Sequence, residues 1–153
     1  HALLDAVRND VLDIIATDHA PHTWEEKQNS YFKVPSGVPL VQHSLQALLE
    51  LYHNGVFSLE TIVKKTSHAV AERFQVQDRG YIREGYFADL VLLDLGKPYV
   101  VNDSNLLYLC GWSPFNGYRF QSTIEMTLVN GQIAWQNGQV TDQVLGKRLT
   151  FNR

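Results

Sequence analysis

Asp18, His19 and His22 are the side chains best placed for chemistry. They lie in Thr17-Asp18-His19-Ala20-Pro21-His22, directly after the short β-branched run Val11-Leu12-Asp13-Ile14-Ile15-Ala16. Such a run reads as a buried parallel strand, and in parallel α/β architectures functional groups project from the C-terminal ends of strands. An Asp in that position can face a metal ion or carry a proton, and a rigid Pro followed by a second imidazole can aim His22 at an anionic group. The same spacing also suits a plain loop cap, in which Asp18 does no more than satisfy backbone N–H groups. His19, between the two, fits packing or hydrogen bonding at the strand end as well as it fits ligation.

The elements that would position these residues follow from periodicity and punctuation. Residues 2–7 carry apolar side chains at helical spacing, ahead of the expected strand. Residues 23–37 are polar, with Trp24, Tyr31 and Phe32 interleaved and Pro35 near the end, and read as an ordered loop over a surface. Residues 38–52 give a helix whose stripe is Leu40, Val41, Leu45, Leu48, Leu49 and Tyr52. His53-Asn54-Gly55 ends it, since Asn and Gly tolerate the left-handed cap. Ser58 opens a further helix to about residue 65, and Ser67 is expected to cap another that runs to Phe74. Helical character stops there. Residues 88–94 form the strongest strand signal, and residues 123–129 and 132–136 read as antiparallel strands. Asn130-Gly131 and Asn137-Gly138 favour two-residue hairpin turns.

Composition narrows the function class. At 153 residues, 44% hydrophobic and 19% charged, the chain is expected to fold around a core. A net charge of −3 gives no basic stripe for phosphate backbones, so nucleic acid is not an expected partner. The single cysteine, Cys110, excludes an intrachain disulfide and a cysteine-based metal cluster, which fits a cytoplasmic location. It reads as a small buried residue. No apolar run reaches the roughly 18 residues of a membrane span, so no membrane partner is expected. His43, His53 and His68 lie on or beside helices and read as structural or solvated. Trp112 and Trp135 read as core of the strand-rich half. Self-association is left open.

Ala16-Thr17-Asp18-His19-Ala20-Pro21-His22 resembles the last barrel-strand motif of the dihydroorotases, within the amidohydrolase superfamily. Pro35-Ser36-Gly37-Val38-Pro39 resembles their substrate-covering loop. Gly85-Tyr86-Phe87-Ala88-Asp89-Leu90-Val91 resembles their return into a β-sandwich, and Gly111-Trp112-Ser113-Pro114-Phe115-Asn116-Gly117 and Val129-Asn130-Gly131 resemble their C-terminal signatures. The resemblance implies an α/β fold: the last strand of a (β/α)8 TIM barrel with its loop and helices over residues 1–75, then a small, incomplete antiparallel β-sandwich over residues 76–153.

It further implies a metal-dependent hydrolase acting on a cyclic amide in pyrimidine biosynthesis, with dihydroorotate and N-carbamoyl-L-aspartate as its substrate pair. Asp18 would be the carboxylate that binds one metal of a binuclear zinc site and shuttles a proton. His22 would hold the substrate's free carboxylate, and Ser36 and Gly37 would offer backbone contacts, although a bare Ser-Gly is also simply a turn. The family's remaining metal ligands, a His-x-His pair, a carboxylated lysine and two further histidines, have no counterpart here. A (β/α)8 barrel needs about 250 residues. The chain is therefore expected to need an N-terminal barrel portion as its partner and to be inactive alone. A related hydantoinase or allantoinase, or a catalytically silent scaffold subunit, are the alternatives.

Overall fold

The structure, a computed structural model, describes residues 1–143 and 146–152; residues 144, 145 and 153 of the expected second domain lie outside the described residues. Five α-helices come first: α1 (Ala2–Arg8), α2 (Trp24–Lys27), α3 (Ser44–His53), α4 (Leu59–Val63) and α5 (Ala69–Phe74). Six strands follow: β1 (Leu90–Asp94), β2 (Tyr99–Val100), β3 (Arg119–Phe120), β4 (Thr123–Val129), β5 (Gln132–Gln136) and β6 (Gln139–Val140).

The antiparallel half follows the sequence pattern closely. Strands β1-β4-β5-β6 form one sheet in that order, all antiparallel, and β2 pairs with β3 separately. Asn130 and Gly131 have φ of 52° and 80°, and Asn137 and Gly138 have φ of 53° and 79°. Consecutive left-handed residues define the type I′ turn, whose twist matches that of the flanking strands. The register slips by one between Leu92 and Leu93 and again between Thr127 and Leu128, bulges that bend the sheet.

Helix α3 begins later than its hydrophobic stripe suggests. Pro39 is fully buried and residues Val41–His43 form a 3₁₀ turn, so the α-helix proper starts at Ser44. It ends at His53 with Gly55 at φ +67°, as expected of a left-handed terminus. Val7, Leu49, Phe57 and Ile62 form the buried core beneath it, and Leu93 and Leu95 from the β1 end pack onto the same cluster. Helices and sheet thus share one apolar seam, in which truncation of Leu49 to Ala would cost about 2–5 kcal/mol.

Two expectations about helices are corrected. Ser58 caps α4 by accepting the Thr61 N–H, but Ser67 caps nothing. A π-turn, Lys64–His68, joins α4 to α5 without a break, and the Ser67 hydroxyl donates to the Gly80 carbonyl instead. The loop over residues 23–37 also contains a helical turn, α2. Thr23 and Glu26 close a reciprocal capping box around it, with the Glu26 N–H donating to Thr23 Oγ1 and the Thr23 N–H donating to Glu26 Oε2.

The strand expected over residues 11–17 is the largest difference. The segment joins no ladder: it bends at Val11 and Leu12, whose N–H groups donate back to the Ala6 carbonyl and which are 72% and 40% exposed. A parallel strand needs at least one neighbour to bond along its edge, and among the described residues none lies alongside. Its one pairing is an isolated parallel bridge between His19 and Val38.

Candidate active site

Side chains hold the segment that sheet bonds leave free. Lys65 is 2% exposed, and its ammonium donates to the Leu12 carbonyl and, at 2.8 Å, to Asp10 Oδ1. The Lys65 carbonyl accepts the Ile15 N–H at 3.1 Å. Lys64 donates to both Asp10 oxygens, and hydrogen bonds from the two lysines hold the Asp10 carboxyl at about 2, below its ordinary 3.8. The π-turn supplies the geometry: it widens the helix where adjacent Lys64 and Lys65 both reach one carboxylate.

Asp18 stands at the end of this tethered segment. Its φ is +46°, a left-handed conformation that Asp adopts more readily than most residues but still at a cost. Its side chain is exposed and takes no hydrogen bond or ion pair among the described residues. A carboxylate held on unusual backbone with no partner is available for a ligand.

His19 takes the hydrogen-bonding role. Its Nδ1 accepts the Leu40 and Val41 N–H groups at 3.0 and 3.3 Å, and the ring stacks on Tyr108. In the neutral ring the proton therefore sits on Nε2, and the imidazole serves as the cap for the turn leading into α3.

His22 is half-buried, with Nδ1 3.3 Å from Glu26 Oε2. Its carbonyl accepts the Trp112 Nε1–H at 2.7 Å, and Trp112 meets Trp24 edge to face. Trp112 is thus part of this site and not of the sheet core. His22 and Glu26 line a cavity of about 450 Å³ with His19, Tyr108 and Cys110. Cys110 is half-buried in that wall, more open than its sequence reading. The carboxylate of Glu26 lies beside Nδ1, and Nε2 has no partner among the described residues.

Ser36 and Gly37 lie across the His19–Val38 bridge from the motif. Gly37 has φ +101°, and a Cβ there would sit 2.5 Å from Ala20 Cβ and 2.7 Å from its carbonyl oxygen. Only glycine allows the loop to lie this close to the motif. Ser36 is exposed, and neither Ser36 nor Gly37 lines the cavity that holds His22. Asp18 does not line it either. The structure thus brings His22 beside Glu26, sets Gly37 against Ala20, and leaves Asp18 and Ser36 exposed outside that cavity wall.

The described residues hold no group of three or more His, Cys, Asp or Glu side chains able to take a metal ion. One free carboxylate does not make a metal centre, so Asp18 fits as a single donor only. Among the described residues no helix is long and apolar enough to cross a membrane.

Sequence reasoning passed over Glu26, Lys27, Lys65 and Asp10. The Thr23-x-x-Glu26 spacing is a capping-box signature that marks α2 and its Glu. For Lys65 and Asp10, 55 positions apart, no local signal exists.

Comparison with known proteins places this geometry. The model of the Amidohydrolase family matches residues 1–134. A dihydroorotase from Halobacterium salinarum is 36% identical over 140 residues, covering 92% of this chain and 33% of that protein. An allantoinase from Desulfitobacterium hafniense is 32% identical over 142 residues, covering 92% and 32%. The solved structure of L-hydantoinase (dihydropyrimidinase) from Arthrobacter aurescens superposes with a TM-score of 0.84 at 28% identity, over 91% of this chain and 32% of that one. The chain spans about a third of the length of these relatives.

Proposed function

The chain belongs to the amidohydrolase family, and from that premise we propose that the protein carrying it is a metal-dependent cyclic amidohydrolase interconverting dihydroorotate and N-carbamoyl-L-aspartate in pyrimidine biosynthesis. The observation that carries the reading is His22: a half-buried imidazole in a cavity wall, fixed through Nδ1 by Glu26, with Nε2 left over. A ring held in this way suits the free carboxylate that distinguishes dihydroorotate from most cyclic amides. The likeness to a dihydroorotase over 92% of the chain supports it.

In the forward direction water adds to the ring carbonyl, the C–N bond breaks, and the leaving nitrogen takes a proton. The Asp18 carboxylate accepts the proton given up by water and returns it to that nitrogen. His22 binds the substrate carboxylate, and the Ser36 and Gly37 N–H groups face the substrate from the loop. Zinc is the proposed metal; when bound it supplies water activation, with Asp18 as one donor and the others outside residues 1–153. A cytoplasmic location, proposed from the lone Cys110, completes the reading.

The allantoinase likeness, 32% identical over 92% of the chain, favours a second reading with the same chemistry on a different ring. Turnover of dihydroorotate, allantoin and hydantoin by the complete, metal-loaded protein separates them. The expected result is a kcat/KM for dihydroorotate at least about tenfold above the others, about 1.4 kcal/mol of discrimination. A preference for allantoin or hydantoin overturns the dihydroorotate assignment.

A further inference from the structure

Lys27 sits in α2 beside Glu26, and its ammonium donates to the Pro35 carbonyl at 2.7 Å and the Gly37 carbonyl at 3.0 Å. These two acceptors flank Ser36. The ammonium is half-buried and meets no carboxylate among the described residues. A lysine that spends its charge on two loop carbonyls, with Glu25 and Glu26 as chain neighbours, is not acting as a solubilising surface group. We propose that Lys27 is a positioning residue that clamps the loop over residues 35–37 against the Ala20 turn and gives that loop its affinity for an anionic substrate. The proposal rests on the dihydroorotate reading for its substrate, but the clamp itself stands on the geometry.

Three features make the clamp more than a surface contact. First, Gly37 already lies against Ala20 with no room for a side chain, so the loop packs directly on the motif, and Lys27 bonds to the carbonyls on both sides of Ser36. Second, the Pro35 carbonyl and the Ser36 N–H belong to one peptide unit. A cation on the carbonyl polarises the N–H, which makes it a better donor to an anion on the opposite side. Among the described residues the Ser36 N–H donates to nothing, so that donor strength is unspent. Third, α2 couples the clamp to His22: its capping box fixes Glu26, Glu26 holds His22, and Trp24 packs on Trp112, which in turn donates to the His22 carbonyl. One helical turn therefore sets both the imidazole and the loop.

The test compares Lys27→Met and Lys27→Arg with the parent in the complete protein by two readouts. Binding of dihydroorotate to the metal-loaded enzyme, with kcat and KM, reports the substrate effect. Trypsin cleavage after the exposed Lys33, followed by mass spectrometry on the metal-free protein, reports loop seating without any activity. For Lys27→Met we expect the Kd and KM for dihydroorotate to rise about tenfold, the scale of one charged hydrogen bond, with kcat within about threefold and cleavage after Lys33 faster by a similar factor. Lys27→Arg restores both toward the parent, since a guanidinium can still donate to two carbonyls. The clamp is overturned if Lys27→Met leaves cleavage after Lys33 unchanged, or if KM and cleavage change only with a general loss of thermal stability that Lys27→Arg does not reverse. Should the parent not bind dihydroorotate at all, the substrate reading fails, and the cleavage rates still decide the clamp.

Discussion

The sheet β1-β4-β5-β6 and the segment over residues 11–22 are both non-helical backbone, yet they are held in opposite ways. In the sheet each strand is fixed by a ladder to its neighbour, and the turns that set register are dipeptides readable one at a time. The segment has no ladder beyond the single His19–Val38 bridge. It is fixed at its start by Lys65 and Asp10, at its end by His19 bonded to Leu40 and Val41, and beyond by Trp112 on the His22 carbonyl. Backbone ladders give the sheet its shape, whereas side chains reaching to backbone give the site-bearing segment its shape. The chemistry-bearing residues therefore depend on individual distant side chains, and single substitutions should separate the two regions.

The largest separation is expected from Asp18→Asn. Asn adopts the left-handed conformation as readily as Asp, so the fold and circular dichroism should be unchanged. The amide cannot take the proton, and turnover of the complete enzyme should fall by 10²-fold or more, on the scale of a lost general base. More than about a tenth of the parental activity would remove Asp18 from the chemistry.

His43 lies outside both regions, beneath the separate β2–β3 pair. It is fully buried among Tyr99, Tyr108, Phe115 and Phe120, and among the described residues its ring bonds only toward Tyr108 at 3.3 Å and leaves Nε2 without a partner. Burial pushes its imidazole down to about 4 from 6.5. In the unfolded chain the ring takes a proton below about 6.5, while the folded protein resists protonation down to about 4. Stability should then be full above pH 6.5 and decline as pH falls through that window, by at most about 3 kcal/mol. Urea unfolding of His43→Phe at pH 7 and pH 4.5 should show this decline removed; an unchanged pH slope would mean the ring is not the titrating group.

Lys65→Met keeps the buried stem and removes the ammonium. It should destabilise by about 2 kcal/mol, the cost of charged hydrogen bonds lost at a buried site, and in hydrogen exchange it should loosen residues 11–18 while leaving β4 and β5 protected. Equal loosening of both regions would erase the distinction between them. The smallest effect belongs to the sheet. Asn137→Ala forces a less suitable residue into a left-handed turn position and should cost about 1 kcal/mol or less, read by thermal unfolding, with no change in KM.

What the sequence made legible follows the same division. Strands β4 and β5 and their Asn-Gly turns are local patterns, and they appear where alternation and turn chemistry place them. The Asp18 to His22 motif is also local, as is the end of α3 at Gly55. The unpaired state of residues 11–17 was not readable, because apolar β-branched composition reports a preference for burial and not whether neighbours exist to supply it. Ser67 resembled a cap because a π-turn leaves no mark in residue types. Trp112 resembled core because its bond to the His22 carbonyl spans 90 positions. Glu26 and Lys27 were visible as charges in a loop, but their roles depend on a helical turn that the loop's polarity disguised.

The tethered segment is proposed to present His22 to an anionic substrate, and a comparison of two ligands decides whether it does. In the complete, metal-loaded protein, the affinities of the parent and His22→Ala are measured for dihydroorotate and for dihydrouracil, the same ring without the carboxylate. His22→Ala is expected to weaken dihydroorotate by about tenfold or more, as for loss of a charged hydrogen bond, and to leave dihydrouracil within about twofold. Equal loss for both ligands, or none for either, would contradict it and reduce His22 to a packing residue on α2.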